Sequence, residues 1–235
     1  MAYAQPRIRR VHLVKEKSWT RLNYKIITPD DVSCLYTVGT SSSHPEVTLT
    51  RHLQPLPYTQ PTSSISRLSG QFSLSSLLGQ SRYHHHPHQQ QQQQGAGVNN
   101  DYDVGSATFH TFSSKIDINL STNHAITMKR PDPFSITRRF ESLTPLGMLE
   151  WKSDGGALGS LVSSNLKLVD ASGRTVARYE KHSSLLSKRS DAITLLVPEL
   201  DGFLDIVIIT CMAMIEHRRV EDDEVEEVAD EIWCG

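Results

Sequence analysis

The chain has 235 residues, with 24 Lys and Arg against 26 Asp and Glu, for a formal net charge of -2. That length allows one sizeable domain or two small ones, so a core is attainable without disulfide or metal staples. Only 37% of the residues are hydrophobic and 7% aromatic, against roughly 45–50% apolar in an ordinary globular chain, which excludes a sequence packed along its whole length.

The N-terminus, MAYAQPRIRRVHLVKEK, is basic but lacks the apolar run that a secretory signal needs. Cys34, Cys211 and Cys234 are odd in number and lack C-x-x-C spacing, so neither a disulfide framework nor a zinc site is indicated. A reducing, cytoplasmic setting is the expectation. Short strand patterns follow at RVHLV, Leu22 to Ile27, Cys34 to Val38 and Val47 to Thr50, separated by Thr28-Pro29-Asp30-Asp31 and by the Ser/His/Pro run from Thr40 to Pro45. Composition then shifts abruptly. Gln54 to Asn100 is rich in Ser, Pro, Gln and His, has Arg67 and Arg82 as its only charges, and ends in YHHHPHQQQQQQGAG. Such a stretch buries too little apolar surface to offset its ordering entropy, and it reads as a disordered insert.

Strand patterns return at Thr108 to Phe112 and at Lys115 to Leu120, where Ile116, Ile118 and Leu120 alternate with Lys115, Asp117 and Asn119. Further strands are predicted at Ala125 to Arg130, Ser135 to Phe140, Met148 to Lys152, Ser160 to Val162 and Ala192 to Val197. This cadence belongs to antiparallel meanders, sandwiches and barrels. In NLKLVDASGRTVARYE, Leu166 and Leu168 lead into the turn Asp170-Ala171-Ser172-Gly173, and Val176 to Tyr179 returns. Next comes FLDIVIITCMAMIEHRR, apolar nearly all the way round: Leu204, Ile208 and Met212 stack beside Val207, Cys211 and Ile215 at helical spacing. Asp201 suits its cap, Asp205 its first turn, and Arg218 and Arg219 its end. The charge-free run from Ile206 to Ile215 is about half the twenty residues a membrane span requires. A helix apolar on every side must then be surrounded by protein, and the only other material is strands. The reading is a mainly β protein: a sheet curled around a hydrophobic C-terminal helix. It divides into N-terminal strands (1–53), the insert (54–100), the remaining strands with the central helix (101–219) and an acidic tail (220–235). That tail holds eight acidic residues and no basic one, and it conceals a body of net charge +6.

The order of FHTFSSKIDINL, ITMKRPDPFSITRRF, LGMLEWKS, NLKLVDASGRTVARYE and ELDGFLDIVIITCMAMIEHRR resembles the tubby C-terminal-like superfamily, which includes LURP-one-related proteins and phospholipid scramblases. It looks closest to little-characterised fungal members. The resemblance covers Thr108 to Arg219, and Leu22 to Arg51 more loosely; it implies a closed antiparallel barrel of about twelve strands around a hydrophobic helix. It also implies a non-catalytic module that binds anionic phospholipids or phosphoinositides at a membrane surface. The sequence offers no match to the tubby phosphoinositide motif, no cysteine cluster for palmitoylation and no helix long enough for a scramblase span.

Lys129, Arg130, Arg138 and Arg139 flank Pro131-Asp132-Pro133, so two strand ends can bring four cations to one rim of the barrel as an anion clamp for lipid headgroups; the alternative is four solvated strand residues. Arg7, Arg9 and Arg10 read as a frayed basic end. The run EDDEVEEVADE reads as a solvated, disordered tail or as a pseudo-ligand covering the basic patch. The insert and tail can alternatively recruit a protein partner, the barrel serving as a scaffold. His84, His85, His86 and His88 can bind a metal but look like repeat expansion beside polyglutamine. His12, His110, His124, His182 and His217 have no ligand spacing and read as satisfied or exposed. No G-x-S-x-G, P-loop or dinucleotide fingerprint is present, and SDGGALGS lacks the Lys and following helix of a phosphate cradle. A body of +6 without interleaved aromatics does not favour nucleic acid. No cofactor, metal or enzymatic activity is expected.

Overall fold

The computed structural model describes residues 10–17, 22–41, 46–57, 101–110, 113–132, 135–155, 164–182, 190–198, 200 and 202–234, with side chains along the last stretch described to Glu221. Twelve strands form: β1 (Arg10–Lys17), β2 (Leu22–Ile27), β3 (Ser33–Thr40), β4 (Glu46–Pro57), β5 (Asp101–His110), β6 (Ser113–Leu120), β7 (Ala125–Met128), β8 (Arg138–Glu141), β9 (Met148–Ser153), β10 (Leu166–Asp170), β11 (Thr175–Glu180) and β12 (Asp191–Leu195). Among the described residues one helix, α1 (Phe203–Cys234), follows them.

The sheet is antiparallel throughout, in the order β7-β6-β5-β4-β3-β2-β1-β12-β11-β10-β9-β8. Each strand lies beside its neighbours in sequence, and β1 pairs with β12 from Arg10↔Thr194 to Leu13↔Asp191. The barrel is nearly closed: at the remaining seam, β7 and β8 are joined by one bridge, in which Lys129 and Arg139 exchange N–H···O bonds of 2.9 and 2.8 Å. The open seam therefore lies in mid-chain, not between the first and last strands.

Alternation sends one side chain in two toward the interior. In β3, for example, Cys34, Tyr36, Val38 and Thr40 are buried while their neighbours are partly wet. The inward residues enclose α1, whose residues Leu204, Val207, Ile208, Ile209, Cys211, Met212 and Ala213 are at most 2% exposed. This is the surrounded helix that the all-round apolar pattern requires. The Asp170 turn forms as read: Gly173 takes φ 83°, and the Asp170 carboxylate accepts the Ser172 and Arg174 amides at 3.0 Å each.

Three boundaries differ most from the sequence reading, beside smaller shifts such as the strand read at Ser135 to Phe140, which is Arg138–Glu141. Strand β4 continues to Pro57, four residues into the low-composition stretch, because its pairing with β3 runs on to Ser33↔Pro57. Strand β5 begins at Asp101, seven residues earlier than its alternation suggests. Gly105, at φ 150°, marks the irregularity that masks the pattern; a Cβ there would lie 2.2 Å from the Asn119 carbonyl oxygen. The helix does not stop at Arg219 but continues through the acidic run to Cys234, since no Gly or Pro interrupts it. Arg218 and Arg219 are therefore mid-helix residues. The Ser160–Val162 strand, the Asp201 cap and the insert from Tyr58 to Asn100 lie outside the described residues. No helix among the described residues is long and apolar enough to cross a membrane.

Candidate functional site: a cationic mouth at the helix exit

Polar groups along α1 pin it to different strands. Tyr36 of β3 donates to Asp205 at 2.6 Å, Trp151 Nε1 of β9 to Thr210 Oγ1 at 2.9 Å, and Tyr24 of β2 to Glu216 at 2.7 Å. Glu216 is also held by Arg219 at 2.9 Å. Each of these three helix side chains thus has a partner on the wall, as burial demands. The fourth such tie is different, because it gathers several like charges.

The four predicted cations are brought to the same end of the barrel but divided between two faces. Strand parity decides the division: Met128, Arg130, Arg138 and Phe140 face inward, and Lys129 and Arg139 face outward. Lys129 is exposed, and Arg139 donates to Glu150 at 2.7 Å on the outer wall. Those two border a groove of about 730 Å³ along the open seam, where Lys152, Glu141 and Glu150 also contribute. Its charges are mixed, so the groove has no marked preference for an anion.

Arg130 and Arg138 instead meet the emerging turn of α1. Arg130 Nη2 donates to Glu221 Oε1, and Arg138 Nη2 lies 3.9 Å from the same oxygen. His217 Nδ1 stands 3.4 Å from Glu221 Oε2, and its ring meets Phe109 edge-on at 5.5 Å between centroids. Arg218 completes the wall of a void of about 10 Å³ enclosed by these groups, room for a single water. The Arg138 side chain is only 3% exposed, and its Nε and Nη1 are buried with no hydrogen-bond acceptor. Burial and the neighbouring Arg130 charge pull its pKa down to about 10, with Arg218 adding to the repulsion and Glu221 opposing it. It stays protonated near neutrality. A group of cations held together in this way is an anion-binding arrangement.

Burial disfavours the Glu221 carboxylate, but the hydrogen bond and charge of His217, with Arg130 and Arg138, more than reverse this and lower it from 4.5 to about 2. The native carboxyl therefore stays ionised where the unfolded one takes up a proton. Its contribution to stability is complete above about pH 4.5 and is lost as pH falls toward 2. Denaturant titrations over that window are expected to show a smaller acid-dependent loss for Glu221→Gln than for the native chain.

Sequence reading missed His217 and Arg218 as members of this site, and reaches Glu221 only through the pseudo-ligand alternative for the whole acidic run. An unbroken helical pattern past Arg219 was the available signal, and alternation could have separated Arg130 and Arg138 from their outward neighbours. Glu221 is the member of the acidic run with a described side chain, and it lies at the basic patch; the side chains beyond it lie outside the described residues.

A second polar line crosses β3, β4 and β5. His52 donates from Nδ1 to Asp101 at 2.8 Å, and its Nε2 accepts the Thr37 hydroxyl at 2.8 Å when the ring is neutral. The order matches a nucleophile, base and orienting acid, but Thr37 sits within the β2–β3 and β3–β4 ladders, where backbone N–H groups are committed to pairing. The line serves as a cross-strand staple. Other histidines pair locally, His12 with Asp31 at 3.2 Å and His110 with Asp117 at 2.7 Å. No group of three His, Cys, Asp or Glu ligands suited to a metal occurs among the described residues. The His84–His88 tract lies outside them. Cys34 and Cys211 are buried free thiols, their pKa values raised by burial.

The fold and site define a mainly β protein, a nearly closed twelve-stranded antiparallel barrel around one C-terminal helix, with a cationic mouth where the helix emerges. No protein-family model, curated protein or solved structure matches the chain.

Proposed function

We propose that this chain is a non-catalytic, tubby-like module that binds anionic phospholipid headgroups, phosphoinositides among them, peripherally at a membrane surface. One observation carries the reading: Arg130 and Arg138 converge at the barrel mouth on a single carboxylate, with Arg218 in the same wall. The element order, a meandering barrel followed by a hydrophobic helix, supports the tubby-like assignment. Exposed Lys129 on the adjoining outer wall adds electrostatic attraction to the same surface, whereas Arg139 there is held by Glu150. Each such charge is worth about 1 kcal/mol near an anionic membrane.

The full chain is expected to sediment with phosphatidylcholine vesicles containing a phosphoinositide, and not with phosphatidylcholine alone, with binding that weakens as salt rises. Lys129→Gln should weaken it by about five-fold, the effect of one such charge, and Arg139→Gln by less because Glu150 already holds that guanidinium. Deleting residues 59–99, which leaves β4 and β5 whole, should leave it unchanged. Lack of sedimentation at physiological salt would overturn the reading. It would then favour the scaffold alternative, in which the insert or acidic segment recruits a protein.

A further inference from the structure

We propose that the barrel mouth is a phosphoryl-group site in which Glu221 occupies the place of the ligand. The inference deepens the headgroup reading and rests on it only for the membrane as the source of the phosphoryl group. Glu221 has two oxygens: Oε1 is taken by Arg130, and Oε2 faces His217 at 3.4 Å. Arg138, 3.9 Å from Oε1, lies beyond hydrogen-bond reach of it. Its Nε and Nη1 remain buried without an acceptor. A planar carboxylate tethered to α1 therefore leaves two of the three nitrogens of the most deeply enclosed guanidinium without an acceptor.

A phosphate monoester meets this deficit by geometry. Its three terminal oxygens are arrayed tetrahedrally, so it can bind Arg130 and Arg138 together while a third oxygen faces His217. Guanidinium forks pair with phosphate through parallel charge-assisted bonds. The void of about 10 Å³ beside Glu221 is too small to admit a phosphoryl group in addition to the carboxylate. Ligand entry therefore requires Glu221 to leave. Glu221 is 39% exposed, so a rotation about its own side-chain bonds carries it into solvent. The acidic segment thereby competes with the ligand for one site, and the mouth discriminates by the number of acceptor oxygens as well as by charge.

The test uses the full chain and three probes: inorganic phosphate, phosphatidylcholine vesicles carrying phosphatidylinositol 4-phosphate, and phosphatidylcholine vesicles carrying phosphatidylserine, which has no phosphate monoester. Glu221→Gln removes the competing charge and keeps the size of the side chain. Asp103→Asn, at an exposed position on β5, makes the same change in net charge away from the mouth. Thermal melts establish that both variants fold. The expected result is at least tenfold tighter binding of inorganic phosphate and of phosphatidylinositol 4-phosphate vesicles by Glu221→Gln, with no gain for phosphatidylserine vesicles and none for Asp103→Asn. Adding Arg138→Met to Glu221→Gln should abolish the gain. A gain confined to inorganic phosphate would support the phosphoryl site and overturn the membrane reading. No gain, or an equal gain with Asp103→Asn or with phosphatidylserine, would overturn the site itself.

Discussion

Ile208→Asp is expected to abolish folding, leaving a chain that is insoluble or melts without a cooperative transition. Ile208 is fully buried on a helix that the sheet surrounds, so no rotation brings a carboxylate there to water. An unpaired buried charge costs several kcal/mol, and protonation to avoid it still leaves an unbonded carboxyl in an apolar site. That loss is comparable with the roughly 5–15 kcal/mol by which whole domains are stable. The native polar groups on the same helix show what tolerance requires: Thr210 has Trp151, and Glu216 has Tyr24 and Arg219. Met212→Asp should fail in the same way, whereas Ile208→Val should lose only about 0.5–1.5 kcal/mol. A soluble Ile208→Asp protein with a sharp melt would refute the placement of the helix.

Trp151→Ala is expected to destabilise the barrel by about 3–5 kcal/mol, the usual range for emptying a large aromatic site in a core. Trp151 is fully buried on β9, and its indole N–H reaches Thr210 on the helix. Trp151→Phe separates the two contributions. It retains most of the volume and drops the hydrogen bond, which is worth about 1 kcal/mol; Thr210 still donates to the Ile206 carbonyl. Trp151 also stands opposite Arg138 in the β8–β9 register. The alanine variant should therefore weaken binding at the mouth as well as stability, and chemical denaturation alongside phosphate titration would measure both. A loss near 1 kcal/mol for both variants would show that the cavity collapses around the missing ring.

The parts of this architecture that were legible in the sequence are those set by local chemistry. The 206–215 run has no charge, Gly or Pro and could only be a surrounded helix, and it is. Alternation located Leu22–Ile27 to the residue, and Asp170-Ala171-Ser172-Gly173 announced its turn. What failed depended on distant partners or on competing signals. Nothing local in Arg10 or Thr194 says that they pair across the barrel. The start of β5 was hidden because Gly105 disturbs its alternation. The cationic mouth was half legible: the clustering of Lys129, Arg130, Arg138 and Arg139 in sequence was real, but inward and outward parity split it. Glu221 was assigned to the tail because its charge outweighed its helical continuity with Phe203.

The helix that fills the barrel follows all twelve described strands, and this sets a schedule for synthesis. At a translation rate of about 5–20 residues per second, the ribosome takes some tens of seconds to deliver the strands before the helix is complete. Throughout that interval the inward faces, Val38, Leu49, Ile118, Leu149 and their neighbours, have no core element to cover. Until α1 has been made, loose collapse of the nascent sheet is what shields those faces. A ribosome stalled anywhere before Phe203 releases strands with nothing to wrap, and quality control will meet such fragments as aggregation-prone sheets rather than as partly folded barrels.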